Sequence, residues 1–149
     1  MASQLPPMNP WEAQAINLQV KGRPYPTIEL GPIDGSVSLV LCDLELPDAP
    51  IVYASDSFLD LTGYSRDEVL GRNCRFLQTP GGTGSAPGPA VDKAAVQRIS
   101  QAVHANQEIQ IEIDNYKKNG QYFTNILSII PIEIGSHPHR YAVGFQCEA

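Results

Sequence analysis

The strongest constraint on this chain is a set of three strand-length runs at its end: Glu108 to Tyr116, Gln121 to Ile132 and Arg140 to Cys147. Only the turn K-K-N-G and the segment G-S-H-P-H join them. Connections this short return each strand antiparallel to its predecessor, because a parallel return needs a long crossover. Upstream, two short apolar runs, Val37 to Cys42 and Ile51 to Ala54, flank the turn L-P-D-A-P and read as two further strands. Ser55 can cap a helix over Asp56 to Leu61 that stops at Gly63. Ser65 and Glu68 form an S-x-x-E capping box for a second short helix ending at Gly71. Thr79 to Ala90 is an uncharged loop in which seven of twelve residues are Gly or Pro. Asp92 to Ala105 predicts a longer helix with Val96, Ile99 and Val103 on one face. The order β-β-α-α-loop-α-β-β-β predicts one five-stranded antiparallel sheet with helices on one face, an α+β domain.

The strand faces carry more information. Ile109, Ile111 and Ile113 share a face with Asn115, and Phe123, Leu127 and Ile129 share one with Asn125. Two amides therefore point where the apolar side chains point. A buried amide left without a partner costs on the order of 1–3 kcal/mol. Backbone or water partners at the strand ends would satisfy them, and so would a polar small molecule in an otherwise apolar pocket. On the opposite face the last two strands carry Ile126, Ile130, Tyr141, Val143 and Phe145. A half-solvated sheet would be polar there. The N-terminal arm or a partner subunit is expected to cover this face.

Six prolines in the first 32 residues argue against a long helix or a central strand there. Only Pro10 to Val20 can hold a short helix. The segment still carries Trp11, Ile16, Leu18, Val20, Tyr25, Ile28 and Leu30, so it reads as an arm that packs on something. Residues 1–36 are taken as cap and hinge, and 37–149 as the domain. Ten basic against sixteen acidic residues give a net charge of −6, which argues against direct binding of nucleic acid or an anionic membrane. No stretch approaches the ~18–20 apolar residues of a transmembrane helix, and Met1 to Pro10 lacks the basic start and apolar core of a signal peptide. Cys42, Cys74 and Cys147 form no C-x-x-C, so neither a disulfide framework nor a metal site is expected, and a reducing intracellular compartment fits best.

The most specific string is G-R-N-C-R-F-L-Q, Gly71 to Gln78. Arg75 could lower the Cys74 thiol pKa, but a nucleophilic hydrolase would also want a His and an orienting acid. His104 lies late in the long helix, where it can cap carbonyls. His137 and His139 flank Pro138 in a turn, a weak metal hint without further ligands. With its flanks, I-V-Y-A-S-D-S-F-L-D-L-T-G-Y-S-R-D-E-V-L before it and N-Y-K-K-N-G-Q-Y-F-T-N and G-F-Q-C-E after it, the string resembles the flavin-adduct motif of LOV domains, the blue-light-sensing branch of the PAS fold. The segments R-P-Y-P-T-I-E-L-G-P-I-D and L-C-D add a likeness to fungal Vivid-type short LOV photoreceptors, from about Leu18 to the C-terminus.

The resemblance implies roles for particular residues. Cys74 would be the thiol that bonds flavin C4a after blue-light excitation. Asn115 and Asn125 would hold the polar edge of the ring, and Gln78 would also reach the flavin. Gln146 would sit near N5, where reversing its amide exchanges donor for acceptor. Asn73 and Arg75 would contact the ring or the ribityl-phosphate chain. Val40, Leu77, Val96, Ile99, Val103, Leu127 and Ile129 would line the apolar wall, and Gly144 would leave room for the ring. The second phosphate-clamping Arg of the family falls on Ser100 here, which leaves Arg98 or Lys93 as candidates. The Thr79 to Ala90 loop matches the loop that makes room for the adenine half of FAD, so the cofactor expected is a flavin nucleotide, FAD or FMN.

The implied output is conformational, in a sensor and not an enzyme. Gln146 would respond, the shift would pass to Cys42 and the hinge after Leu30, the arm would move, and a light-dependent homodimer would form. Cys42 has an equal reading as a small buried strand residue. A white-collar-type transcription complex is the further partner implied, at a cytoplasmic or nuclear location. Competing readings are a PAS module for another ligand, such as haem, and a flavin redox enzyme. The first lacks a well-placed axial His; the second lacks a resolving Cys at short spacing.

Overall fold

A computed structural model describes residues 20–23, 26–28, 30, 36–82, 91–134 and 139–149. The strands are β1 (Ser38–Asp43), β2 (Ile51–Ala54), β3 (Ile109–Tyr116), β4 (Tyr122–Ile134) and β5 (His139–Glu148). They form one sheet in the order β2-β1-β5-β4-β3, with every neighbouring pair antiparallel. The expected meander β3-β4-β5 is present, and β5 lies beside β1 at the centre. Gly120 takes a φ of 89° in the K-K-N-G turn, a left-handed conformation that glycine adopts without steric cost. Strand β4 runs past Pro131 to Ile134. Its pairing with β3 ends at Ile129, so the proline sits where the β3 side of the strand is open.

Between β2 and β3 come α1 (Asp56–Thr62), α2 (Arg66–Val69), a 3-10 helix (Cys74–Gln78) and α3 (Lys93–His104). Gly63 ends α1 with a φ of 83°. The Ser65–Glu68 capping box is fully formed. Helix α2 stops at Val69, earlier than the expected Gly71. There the backbone turns to join β2: Gly71 N donates to Ile51 O and Ile51 N donates to Arg72 O, both at 2.8 Å. The Gly/Pro loop begins with a short 3-10 turn, Pro80–Gly82, and its remainder, 83–90, lies outside the described residues.

Ser55 does more than cap α1. Its hydroxyl oxygen accepts from Phe58 N and from Leu39 N, and the hydroxyl donates to Val37 O. One side chain thus ties the helix start to β1. Ser55→Ala removes the cap and both cross-links, and is expected to cost about 2 kcal/mol in urea unfolding. A change below about 0.5 kcal/mol would show that these bonds are replaced by water.

The sheet has apolar groups on both faces. On the inner face, Val40, Ile51, Phe58, Phe76 and Leu77 form one buried cluster, and Val91, Ala95, Ile111 and Ile113 form a second. On the outer face, Leu39, Leu41, Ile130, Val143 and Phe145 pack with Val20, Ile28 and Leu30 of the N-terminal segment. Val20 is 0% exposed. The arm therefore covers the second face, as the alternation requires. Val20 and Lys21 are helical. The rest of the expected Pro10–Val20 helix, with Trp11, Ile16, Leu18 and Tyr25, lies outside the described residues. Among the described residues no helix is long and apolar enough to cross a membrane.

Candidate functional site

Strands β3, β4 and β5 supply the floor. Asn115 stands opposite Phe123 and Ile113 opposite Asn125, which places both amides on the inner face. Asn125 is 0% and Asn115 4% exposed. Asn125 Nδ2 donates to Asn115 Oδ1 at 3.0 Å, and Cys147 N donates to Asn125 Oδ1 at 3.2 Å. Asn115 Nδ2 donates to Asp114 O at 3.3 Å. Each amide thus engages one of its two N–H groups and keeps hydrogen-bonding capacity for a further polar partner.

Gln146 lies on the same face of β5. Its Oε1 accepts from Ser38 Oγ at 2.8 Å and its Nε2 donates to Gly144 O at 3.1 Å. A Cβ built on Gly144 would meet Val40 Cγ2 at 3.4 Å, Gln146 Nε2 at 3.5 Å and Leu127 Cδ1 at 3.9 Å. The glycine therefore leaves a gap of about one methyl group between three of the expected site residues.

The 3-10 helix and α3 face this floor. Cys74 opens the 3-10 helix and is partly exposed. Leu77 and Val40 are buried together, and Gln78 is half-buried. Val96, Ile99, Val103, Leu127 and Ile129 are apolar and only half-buried. Polar amides with spare capacity, a partly exposed thiol, an unfilled glycine and incompletely covered aliphatic walls fit a flat ring with one polar edge. The residues present fit the flavin nucleotide that the sequence resemblance implies.

Four of the expected residues have other partners or surroundings in the structure. Arg75 is exposed, and its guanidinium pairs with the Asp48 carboxylate, which raises the Arg75 pKa and lowers that of Asp48. Asn73 is engaged as well: it caps the 3-10 helix by accepting from Arg75 N and donates to Asp48 O at 2.8 Å. Both point to the β1–β2 turn, where Asp48 and Ala49 take positive φ. Arg98 is exposed and lines a cleft with Gln101, Ala105, Gln107 and Glu108. Two residues from Val96, it stands about half a turn around the helix from the aliphatic wall. The expected relay from Gln146 to Cys42 is not brought together. Cys42 pairs across from Ala142, four residues along β1 from Ser38, and its thiol contacts Cys74.

Ser38 is the residue the sequence reading missed. Its only signal is a hydroxyl on the inward register of an otherwise apolar strand. Lys93 and Ser100 are exposed. His104 Nδ1 lies 2.8 Å from Ser100 O, consistent with capping a helix carbonyl. His139 Nε2 lies 2.6 Å from Asp43 Oδ1, and that carboxylate raises the histidine pKa. His137 lies outside the described residues, among which no three metal-ligating side chains cluster.

A family model described as "PAS domain" matches residues 36–146. White collar 1 protein of Neurospora crassa is 44% identical over 131 residues, covering 87% of this chain and 11% of that protein. Blue light receptor lreA of Aspergillus flavus is 39% identical over 140 residues, covering 93% of this chain and 16% of that one. The chain thus spans only a small part of the length of these curated relatives. The light-state dimer of the fungal blue-light photoreceptor Vivid superposes with a TM-score of 0.82 at 47% identity, covering 99% of this chain and 100% of that one. This chain belongs to the PAS domain family, in the branch of fungal blue-light photoreceptors typified by Vivid.

Proposed function

We propose that the chain is a blue-light receptor whose Cys74 is the reactive thiol and whose N-terminal arm is the output. The observation that carries this reading is the pair Asn115 and Asn125, buried on the inner face of the sheet with hydrogen-bonding capacity to spare, in a domain whose 3-10 helix starts at the partly exposed Cys74. When bound, the flavin supplies blue-light absorption and a ring carbon that a thiol can attack. The protein supplies everything else. Asn115 and Asn125 hold and orient a polar ring edge with their free N–H and carbonyl capacity. Val96, Ile99, Val103, Leu127 and Ile129 offer aliphatic surface, only half-buried, against which the ring would pack.

Gln146 carries the signal outward. Turning its amide over presents an N–H to Ser38 where a carbonyl oxygen stood. The Ser38 hydroxyl can follow, because it both donates and accepts. Ser38 opens β1 two residues after Ser36, the last residue of the cap and hinge, so a change at Gln146 reaches the base of the arm in one hydrogen bond. Residues 1–36 act as cap and hinge and 37–149 as the sensor domain. Released, the arm bares Leu39, Ile130, Val143 and Phe145 to a second copy of the chain. The likeness to the Vivid light-state dimer supports this partner, and the likeness to White collar 1 supports a white-collar-type complex as a further one. The net charge of −6 favours protein contacts over direct binding of nucleic acid. The role is sensory and not enzymatic.

Sedimentation velocity of the flavin-loaded chain tests this. A monomer in darkness is expected to become a dimer under blue light and to revert in darkness. A sedimentation coefficient unmoved by light would overturn the arm-release reading.

A further inference from the structure

Thirty-two residues separate Cys42 and Cys74 in the chain, yet their Sγ atoms lie 3.2 Å apart. Backbone geometry brings this about. The β1–β2 register shifts between Leu41 and Cys42, and Cys42 then stands opposite Ile51. Ile51 exchanges hydrogen bonds with Gly71 and Arg72, and Cys74 follows two residues later. Neither cysteine is in a disulfide. A disulfide requires an S–S distance of about 2.05 Å, so bonding needs about 1 Å of further approach between two side chains already in contact.

The two thiols are not equivalent. Cys42 is 8% exposed, and its hydrogen bond with Cys74, together with burial, pushes its pKa up. It remains a protonated, shielded thiol. Cys74 is partly exposed and is the sulfur that a small oxidant meets first.

We propose that Cys42 is the resolving thiol for Cys74, so that a hydroperoxide converts the pair into a reversible disulfide and withdraws the reactive thiol from the light-sensing site. The regulatory consequence rests on the light-receptor reading above; the thiol pairing does not. In the first step Cys74 sulfur attacks one peroxide oxygen. The O–O bond breaks, water leaves, and Cys74 becomes a sulfenic acid. In the second step Cys42 sulfur attacks the sulfenic sulfur. The S–O bond breaks, a second water leaves, and the S–S bond forms. The two thiols together lose two electrons and two protons, and hydrogen peroxide is reduced to two waters.

The test treats the full flavin-loaded chain with hydrogen peroxide in darkness. Intact mass, a non-reducing peptide map and the amplitude of the blue-light bleach are recorded before and after dithiothreitol. The expected result is a monomer lighter by two hydrogen atoms, with Cys42 and Cys74 in one cross-linked peptide. The bleach falls in proportion to the disulfide formed and returns with the reductant. In Cys42→Ser the cross-link is absent, and Cys74 instead gains two oxygen atoms that dithiothreitol does not remove. Exposed Cys147 gauges the oxidant dose. Oxidation of Cys147 while Cys42 and Cys74 stay reduced would overturn the proposal, as would two-oxygen gain at Cys74 in the unmutated chain. A reduced protein that never bleaches would instead refute the light-receptor reading, while the peptide map still decides the thiol pairing.

Discussion

Glu108→Ala is expected to free the N-terminal arm in darkness. The Glu108 carboxylate, at the turn into β3, gathers most of the polar contacts that the described arm makes to the domain. It accepts from the Arg23 guanidinium, from Thr27 N at 2.9 Å, from Ile28 N at 3.0 Å and from the Thr27 hydroxyl at 3.3 Å. Arg23 in turn donates to Val20 O and Ile28 O, so the pair also fixes the shape of the arm. Its side chains are only 11% and 9% exposed. The pair is part-buried and Arg23 keeps its two backbone acceptors, so the loss is that of charge-assisted hydrogen bonds, about 1.5–3 kcal/mol. Applied to arm opening, that is roughly one to two orders of magnitude in the equilibrium. Hydrogen exchange of the amides between 20 and 30 is expected to accelerate to match, with little change in β4 and β5. Unchanged exchange would show that the apolar contacts of Val20, Ile28 and Leu30 hold the arm alone.

Acid should act in the same direction. Burial opposes charge on Glu108, but Arg23 and the Thr27 and Ile28 amides outweigh it and hold the carboxyl below its usual range. A lowered carboxyl stabilises fully above its unfolded value, about 4.3, and that stabilisation is lost as pH falls through the folded value. Arm exchange is therefore expected to rise below about pH 4 in the native chain and to lose this dependence in Glu108→Ala.

Cys74→Ala is expected to abolish the light response while sparing the fold. The side chain is partly exposed, and its loss deprives Cys42 of one thiol contact, on the order of 1 kcal/mol or less. Flavin retention should persist, because Asn115, Asn125 and the aliphatic wall are intact. The visible band should then survive blue light, and both the dimer and the arm response should vanish with the bleach. Bleaching that persisted in the variant would move the photochemistry to another residue.

The sheet was legible because its signals are local. Alternation placed Asn115 and Asn125 on the inner face, and the structure keeps them there at 4% and 0% exposure. Ser55, Ser65 and Asp92 mark helix starts through contacts spanning two or three residues, and all three act as caps. What the sequence hid depends on separation. Nothing in L-C-D or R-N-C-R announces that the β1–β2 register and the Gly71–Ile51 bonds will bring two thiols together. Glu108 reads as an ordinary first residue of a strand until Arg23, 85 residues away, folds back onto it. The pairing of Arg75 with Asp48 was hidden because that turn's positive φ values are invisible to hydrophobic pattern. Ser38 escapes for a subtler reason: a single hydroxyl in an apolar strand has many uses, and only the cross-strand register with Gln146 selects one.

The most direct measurement is the visible absorption of the purified, flavin-loaded chain in darkness, just after a blue flash, and through dark recovery. The account predicts a structured band that bleaches on the flash and returns in darkness with a single recovery rate. A flavin band that blue light leaves unchanged would contradict it, however well the fold matches.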